Sequence, residues 1–453
     1  MNLTAILILG LYALGLAAAL LRHPIFGLFS YLFIFYNPPA ASWWGAEIPD
    51  LRWSLLAAVV TLIATIWRAS SSTGPSWFAN WGVRLLFAYT LWVWIQSIWA
   101  VDISKNLEGA ILFTKYLVLA YLITHIVLNE EGFEFFSWVH VVGCFMWGWI
   151  AYTTPQGGRL ESIGAGDVAG SNGAAMHLTT GLFFAGIMFL TLPGSKRWVV
   201  LLMIPFLLNA FVLALSRGGF LGLLSGGVVS FYLSPRTYRK HIYAAAALAV
   251  LLLLLLAHPL FWERVGTLQT SDVSTMDVSA KGRLDLINYQ WKMFLDNPLG
   301  VGHRGNEVLS PRYMPQELLE GQGVLVAEEK RIAAHNTFMA VLVDQGLPGA
   351  IMFILLITWF TVSFVHLKSL DDKGLAPLLG MYRVALGCSF VSWFVAGQFS
   401  NFMKAEVWIW ILALLVALTR VSHESIKNER VNTSESSVHE RNRTVAVSQV
   451  SLS

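Results

Sequence analysis

The sequence predicts an all-α polytopic membrane protein of about 12 transmembrane helices, with one long external loop that carries short amphipathic helices. Three observations point there. Of the 453 residues, 56% are hydrophobic and 13% charged, with a mean hydropathy of +0.61. Soluble domains carry about 25% charged residues, so most of this chain is built to meet lipid or other apolar helices. Apolar runs close to the length of a membrane crossing recur along the chain, and between Pro259 and His335 the composition turns polar.

Read with a ~20-residue window, the runs fall near 3–21, 24–37, 53–67, 82–100, 109–128, 134–152, 173–192, 198–215, 218–234, 242–258, 337–366, 376–396 and 405–420. Open-edged sheets cannot satisfy their backbone groups in hydrocarbon, so the runs are helices. Barrel strands would alternate over ~10 residues. The first run, Leu3 to Leu21, has no basic lead and is followed by more spans, so it reads as a retained helix and not a signal peptide. The second, Pro24 to Asn37, is short and ends in Asn37-Pro38-Pro39. It is expected to lie in the interface or to hairpin back, which leaves about 12 spans with both termini inside.

Lysine and arginine in short loops mark the cytoplasmic side: Lys196-Arg197, Arg236 with Arg239-Lys240, Lys368 with Lys373, and the tail after Arg420. The loops around Asp102, Tyr152–Gly173, Ser216–Gly219, 259–335 and Gly397–Lys404 are then external. The chain divides into N-terminal transmembrane helices (1–152), central transmembrane helices with external Arg159 and Arg217 loops (153–258), the long loop (259–335), C-terminal transmembrane helices (336–420) and a disordered cytoplasmic tail (421–453). The 2 cysteines, Cys144 and Cys388, lie in apolar runs and read as small buried side chains, not as a disulfide or a metal site. Most of the 19 tryptophans, among them Trp43-Trp44, Trp77, Trp81, Trp92, Trp94 and Trp99, suit the interfacial belts, with stacking on a sugar ring as the alternative.

Polar residues on the external side form a pattern. Arg217 stands in Ser216-Arg217-Gly218-Gly219, a tight link whose glycines let the backbone turn and leave room for a bulky anion. Snorkelling to lipid phosphates is the structural alternative. Arg283 opens a stretch in which Leu284, Ile287, Trp291 and Phe294 or Leu295 recur at helical spacing, as on an amphipathic helix resting on the membrane or the bundle. A cation is disfavoured in a first helical turn, and an anion shared by the helix end and Arg283 would reverse that penalty. The helix is expected to stop before Asn297-Pro298, with Gly300-Val301-Gly302 as a flexible turn ahead of His303-Arg304.

Arg159 lies in the glycine-rich segment Gly157-Gly158-Arg159-Leu160-Glu161-Ser162, which either wraps a phosphate or sugar or is a loose connector. His335 stands where the long loop meets the next apolar run, just before Asn336 and Thr337. It is either a capping or interfacial residue, or a base, since an imidazole with the ordinary pKa of ~6.5 accepts a proton from a hydroxyl at neutral pH. Further on, Gly346, Pro348 and Gly349 permit close packing or a kink.

No Glu-x-x-His pair marks a divalent metal site, no Gly-x-x-x-x-Gly-Lys-Ser/Thr a nucleotide site, and no Gly-x-Ser-x-Gly a serine hydrolase. No metal, cofactor or nucleic-acid partner is expected. An external site has no ATP, so the energy for bond formation must come with the substrate. A membrane-embedded donor with a diphosphate leaving group fits arginines at the lipid–water boundary.

Arg283…Trp291…Asp296-Asn297-Pro298-Leu299-Gly300-Val301-Gly302, followed by His335-Asn336-Thr337-Phe338…Asp344-Gln345-Gly346-Leu347-Pro348-Gly349, resembles the O-antigen ligase and polymerase superfamily. Ser216-Arg217-Gly218-Gly219 matches that family's arginine turn. The motifs span roughly 160–400, and their order, spacing and shared side carry the specificity. The N-terminal part, with Phe35-Tyr36-Asn37-Pro38-Pro39 and Trp53, is similar to the O-glycosylation ligases attributed to exosortase-associated systems.

The resemblance implies a bacterial inner-membrane glycosyltransferase of the lipid-linked-donor type, with a periplasmic loop over its site. Such an enzyme moves a glycan from undecaprenyl diphosphate to a sugar hydroxyl of lipid A–core, inverting the anomeric carbon and using neither metal nor cofactor. By motif position His335 takes the catalytic histidine's place, and Arg217 and Arg283 those of the diphosphate-binding arginines. Arg159 lines up less clearly. His303 and Arg304 stand where smaller residues are common in the family, and with Asn336 they are secondary candidates. Two rivals keep the chemistry and change the acceptor: an O-antigen polymerase, and an oligosaccharyltransferase that glycosylates a protein hydroxyl. A third, a transporter of the same lipid-linked glycan, would call for charges at the bilayer midplane and paired broken helices, whereas the charges here cluster at the outer boundary and no two-fold repeat is visible.

Overall fold

The computed structural model describes residues 3–49, 51–69, 77–154, 159–161, 163, 164, 168, 170–256, 262, 266, 278–326, 329–371 and 377–422. Every apolar run is a helix: α1 (Leu3–Leu21), α2 (Ile25–Tyr36), α3 (Trp53–Ala69), α4 (Trp81–Ile95), α5 (Ile103–Ile126), α6 (Glu130–Thr153), α7 (Ser171–Thr191), α8 (Lys196–Leu213), α9 (Arg217–Leu233) and α10 (Arg239–Leu256). The polar island supplies α11 (Val278–Asp296), α12 (Gly305–Tyr313), α13 (Gln316–Gln322) and an antiparallel hairpin of β1 (Val324–Val326) and β2 (Glu329–Arg331), with Val324 opposite Arg331. Then come α14 (Thr337–Asp371), α15 (Pro377–Ala396) and α16 (Val407–Ser422). Among the described residues, 7 helices are long and apolar enough to cross a membrane. The protein is a polytopic, all-α membrane protein. The expected tail lies, from residue 423 on, outside the described residues.

Local chemistry explains where helices begin. Asn80, Asp102 and Asn129 cap α4, α5 and α6, each accepting a backbone N–H two or three residues on and so satisfying a donor that the first turn leaves orphaned. The periphery is apolar because it faces lipid: Leu7, Leu14 and Leu21 of α1 and Ile354, Val362 and Val365 of α14 are exposed.

The two short runs lie inside. Leu28, Leu32, Ile34, Phe35 and Tyr36 of α2 are buried, as is nearly every side chain of α16 from Val407 to Leu418. A helix apolar all round is a buried helix, and these two form the centre of the bundle, where Trp410 packs edge-on against Phe35 at 5.0 Å. The Tyr31 hydroxyl donates to the Glu406 carboxylate at 2.7 Å and ties α2 to the start of α16.

This corrects the expected topology. With 12 residues, α2 rises only about 18 Å, yet it neither lies in the interface nor hairpins back. It runs through the bundle between α1 and α3, which are parallel: Arg68 donates to the Leu20 carbonyl at 3.2 Å, and Trp44, Ile48 and Trp53 pack on Ala5, Ile8 and Leu9. A helix surrounded by protein need not match the hydrocarbon thickness. Arg420 at the far end of α16 donates to the Thr124 carbonyl at the end of α5. Leu3 and Ser422 therefore lie at opposite ends of the bundle, and the expected pairing of both termini on one side is not found.

α11 stops at Asp296, as Asn297-Pro298 predicts, and one of its faces packs on the protein. Leu286, Gln290 and Met293 form its buried face, while Trp291 and Leu295 are exposed. Gly300-Val301-Gly302 is not a flexible turn. It crosses α14 at a break in that helix, with Gly300 at φ 85° and Gly302 at φ 89°, where Gly346 adopts φ 64°, ψ −168°. That conformation is essentially restricted to glycine. The two chains touch backbone to backbone, since a Cβ on Gly346 would collide with the Leu299 carbonyl carbon and one on Gly300, at φ 85°, with that of Gln345.

Carbonyls and N–H groups at the break find partners in the crossing segment and in nearby side chains. Val301 N–H donates to the Val343 carbonyl at 3.2 Å, Gly302 N–H to that of Asp344 at 2.9 Å, and Leu347 N–H to that of Pro298 at 2.8 Å. Gln96 reaches the Asp344 carbonyl, Trp92 the Gln345 carbonyl and Trp99 the Gly300 carbonyl. Trp92 and Trp99 thus act as donors to this crossing and not only as belt residues.

Gly346→Ala adds both a forbidden conformation and a backbone collision. It is expected to destabilise the protein by about 3 kcal/mol or more. A thermal melt of the purified variant checks this, and a melting temperature equal to the parent's would contradict the crossing.

Candidate functional site

The site is built at the end of the bundle that carries the polar island. α8 ends at Leu213 and α9 begins at Arg217, so the link between them is only a few residues long. Leu215 takes a left-handed φ of 48° there, a conformation a branched side chain adopts only when its surroundings impose it. The Arg159 segment does so. Leu160 N–H donates to the Leu213 carbonyl at 2.9 Å and Arg159 Nε to the Ala214 carbonyl at 3.0 Å, a favourable place for a cation because carbonyls end a helix there. The other arm of Arg159 donates to Asn172 Oδ1 at 2.8 Å, and the Ser216 hydroxyl donates to the same oxygen at 2.8 Å. Ser216 in turn accepts Gly219 N–H and caps α9.

The Arg159 segment is therefore a brace for the arginine turn and not a loose connector. Arg217 itself is partly exposed at the first position of α9. Behind it, Gly222 and Gly226 let α9 lie directly on α15 at Ser392 and Cys388, and Gly218 on the following turn at Phe399, the close approach that small residues at i, i+4 and i+8 permit.

His335 arrives from the opposite flank of the turn that follows α15. Asn336 caps α14, accepting Phe338 N–H at 2.9 Å and Met339 N–H at 3.1 Å, and its amide donates to the Gln398 carbonyl at 3.2 Å. Thr337 N–H donates to the Gly397 carbonyl and its hydroxyl to that of Ser400, both at 2.7 Å. The capping alternative for this junction thus belongs to Asn336, while His335 is exposed beside it. The residue before His335 is held too, because Ala334 N–H donates to Asn306 Oδ1 at 2.8 Å.

Asn306 hangs from Asp344, whose carboxylate accepts Arg304 N–H, Asn306 N–H and the Asn306 amide at 3.1, 2.9 and 2.8 Å. A buried carboxylate at the start of α12 is matched by that helix's free N–H groups. The structure so brings Arg159, Arg217, His335 and Asn336 to the two flanks of one turn, Gly397–Phe402, on which the N-termini of α9 and α14 converge. Asn172, Ser216, Asn306 and Gln398 were not singled out from the sequence. Only Ser216, three residues before a helical N–H it could cap, carried a local signal.

The remaining candidates lie elsewhere. α11 begins at Val278, so Arg283 falls beyond its first turn, which removes the helix-end argument for it; its side chain lies outside the described residues. His303 and Arg304 line a separate cavity with Lys404. Arg304 is held by Glu307 through two bonds of 2.8 and 3.1 Å. The His303 ring is buried against Gly109 and edge-on to Phe113 at 6.0 Å, and the backbone N–H of His303 donates to Asn106 Oδ1 at 2.8 Å. Burial, reinforced by Lys404 and Arg304, lowers the His303 pKa to about 3. His303 is thus unsuited to take up a proton near neutrality.

The unfolded chain protonates this histidine at about pH 6.5, so its contribution to stability is complete above that value and declines as pH falls toward 3. The loss between pH 6.5 and 5 is expected to be on the order of 2 kcal/mol, read as a lower melting temperature. His303→Gln should shrink that change, and an unaltered change in the variant would exclude the buried neutral histidine as its source.

Residues 198–354 match the family model described as O-Antigen ligase. No curated protein matches the chain. The matched segment runs from α8 into α14 and so contains Arg217, Arg283 and His335. The arginine turn and the His-Asn-Thr helix start lie inside that match, and this segment is similar to the O-antigen ligase superfamily, membrane-bound glycosyltransferase-like ligases and polymerases that work on lipid-linked glycans.

Proposed function

We propose that this protein is an O-antigen ligase of the bacterial inner membrane, transferring a glycan from undecaprenyl diphosphate to a sugar hydroxyl of lipid A–core at the periplasmic face. The observation that carries the reading is the convergence just described: a partly exposed arginine at the start of α9 and an exposed histidine beside the start of α14, facing one turn within the family match. Two helix N-termini add positive potential where a diphosphate would sit.

In this reading Arg217, with Arg283 and Arg159, holds the diphosphate, since a planar guanidinium suits phosphate oxygens. Arg159, already committed to the turn, acts chiefly by holding Arg217 in place. His335 orients the acceptor hydroxyl and takes its proton as the oxygen attacks the anomeric carbon from the face opposite the leaving group. The bond from that carbon to the diphosphate oxygen breaks, and undecaprenyl diphosphate leaves with the charge the arginines neutralise. The configuration inverts, and no metal or cofactor takes part.

Arg217→Ala is expected to lower the transfer rate by on the order of 10²–10³-fold. His335→Ala is expected to fold and insert normally and to abolish transfer. The measurement is transfer of labelled glycan by purified protein from lipid-linked donor to lipid A–core, to a hydroxyl-bearing peptide, or to a second donor molecule. Near-normal transfer by His335→Ala would sink the assignment of the base. Transfer to peptide or to a second donor, and not to lipid A–core, would redirect the acceptor while leaving the chemistry in place.

A further inference from the structure

Beside Lys404 lies a cavity of about 1130 Å³, walled by α5, the start of α3 and the chain that joins α2 to α3. Neither Arg159, Arg217 nor His335 lines it. Two features set it apart from a packing gap.

The first is Lys115. It stands halfway along α5, a helix of 24 residues with the length and hydropathy of a membrane crossing. Glu108, Ile111, Leu112 and Lys115 form one face of that helix, spaced i, i+3, i+4 and i+7, and all four line the cavity. An ionisable side chain at such depth is costly unless it faces water or a charged partner, which makes it a mark of a binding site. Lys115 makes no hydrogen bond or ion pair among the described residues, and its side chain is exposed to the cavity.

The second is the balance of the lining. Arg52 and Lys404 join Lys115, against Glu108 as the one carboxylate among the described lining residues, while Arg304 is paired with Glu307. His303 at the rim is neutral and adds no charge. Beside these cations the wall is apolar, with Ile34, Ile48, Leu55 and Ile111. A chamber that is cationic at one part and apolar at another, inside a membrane-spanning bundle, matches a ligand that is anionic at its head and apolar in its chain.

We propose that this cavity binds the phosphate headgroup of a membrane amphiphile, with the phosphate held by Lys115, Arg52 and Lys404 and the chain lying along the apolar wall. Lys404, which lines the cavity, closes the same Gly397–Lys404 segment that carries the turn between Arg217 and His335. In the transferase reading this would be the seat of the phosphorylated acceptor, and that naming alone rests on the reading. A phosphorylated lipid-linked donor is the other source of the same chemistry.

The test is binding of dodecyl phosphate to the full-length protein in phosphatidylcholine nanodiscs, with dodecyl maltoside as the uncharged comparison. Dodecyl phosphate is expected to bind saturably and dodecyl maltoside not. Lys115→Gln should weaken binding at least about tenfold, as loss of one charge-assisted contact does, and Lys115→Arg should restore it. Lys196→Gln, an exposed lysine remote from the cavity, should bind as the parent does. If Lys115→Gln does not fold, Arg52→Gln carries the same expectation.

Displacement of the probe by a bisphosphorylated acyl disaccharide assigns the acceptor, and displacement by undecaprenyl diphosphate assigns the donor. Binding that is equal in Lys115→Gln and the parent, equal weakening by Lys196→Gln, or displacement by neither lipid would overturn the proposal. Because binding needs no glycan transfer, intact binding in a protein that fails every transfer assay would count against the transferase reading alone.

Discussion

The polar island depends on one backbone crossing, where Pro298–Gly302 passes the break in α14 at Gly346. A broken helix in a membrane protein exposes carbonyls that lipid cannot satisfy. Here Val343, Asp344 and Gln345 have theirs taken by Val301, Gly302, Gln96 and Trp92. The partners can approach only because glycines stand at the point of contact on both chains. The crossing is therefore mutual: the break accepts the loop, and the loop makes the break tolerable. The first part of α14, which starts beside His335, takes its direction from the same contact.

A chain of polar contacts carries that constraint to the candidate site. The Asp344 carboxylate holds the start of α12 and Asn306, and Asn306 holds Ala334, next to His335. On the other flank Arg159 and Asn172 hold a link whose Leu215 would not otherwise adopt a left-handed backbone. What meets at Gly397–Phe402 is thus a pair of helix starts, each fixed by residues distant in the chain. Such an arrangement suits an anionic leaving group, because the donors are in position before the charge develops.

Much of the architecture was legible. Each apolar run became a helix, and Asn297-Pro298 ended α11 where its missing N–H and restricted predecessor say it should. The length of a run misled where length was read as depth. α2 and α16 are short because protein, not lipid, surrounds them, and their all-round apolarity was the available sign. The motif glycines after Asn297 were misread for a related reason: glycine signals freedom in a chain seen alone, but at Gly300 and Gly346 it marks the absence of room for a side chain. For the candidate site the sequence singles out Arg217, Arg159, His335 and Asn336, and the structure shows Arg159 and Asn336 holding backbone segments together. His303 and Arg304, adjacent in sequence to the crossing, belong to a different cavity.

The sequence by itself determined the class of the protein, the order of its helices and the residue types available at its loop end, because hydrophobic length, proline and capping side chains act over a few residues. Only the tertiary structure decided which of those residues face one another. Arg217 and His335 stand on the two flanks of a turn that neither belongs to, Lys115 faces a chamber instead of lipid, and the polar island hangs from a crossing of two glycines. Each of these depends on backbone segments brought together from far apart in the chain. No local pattern records that distance, and the pairing of freed carbonyls with remote donors is what fixes it.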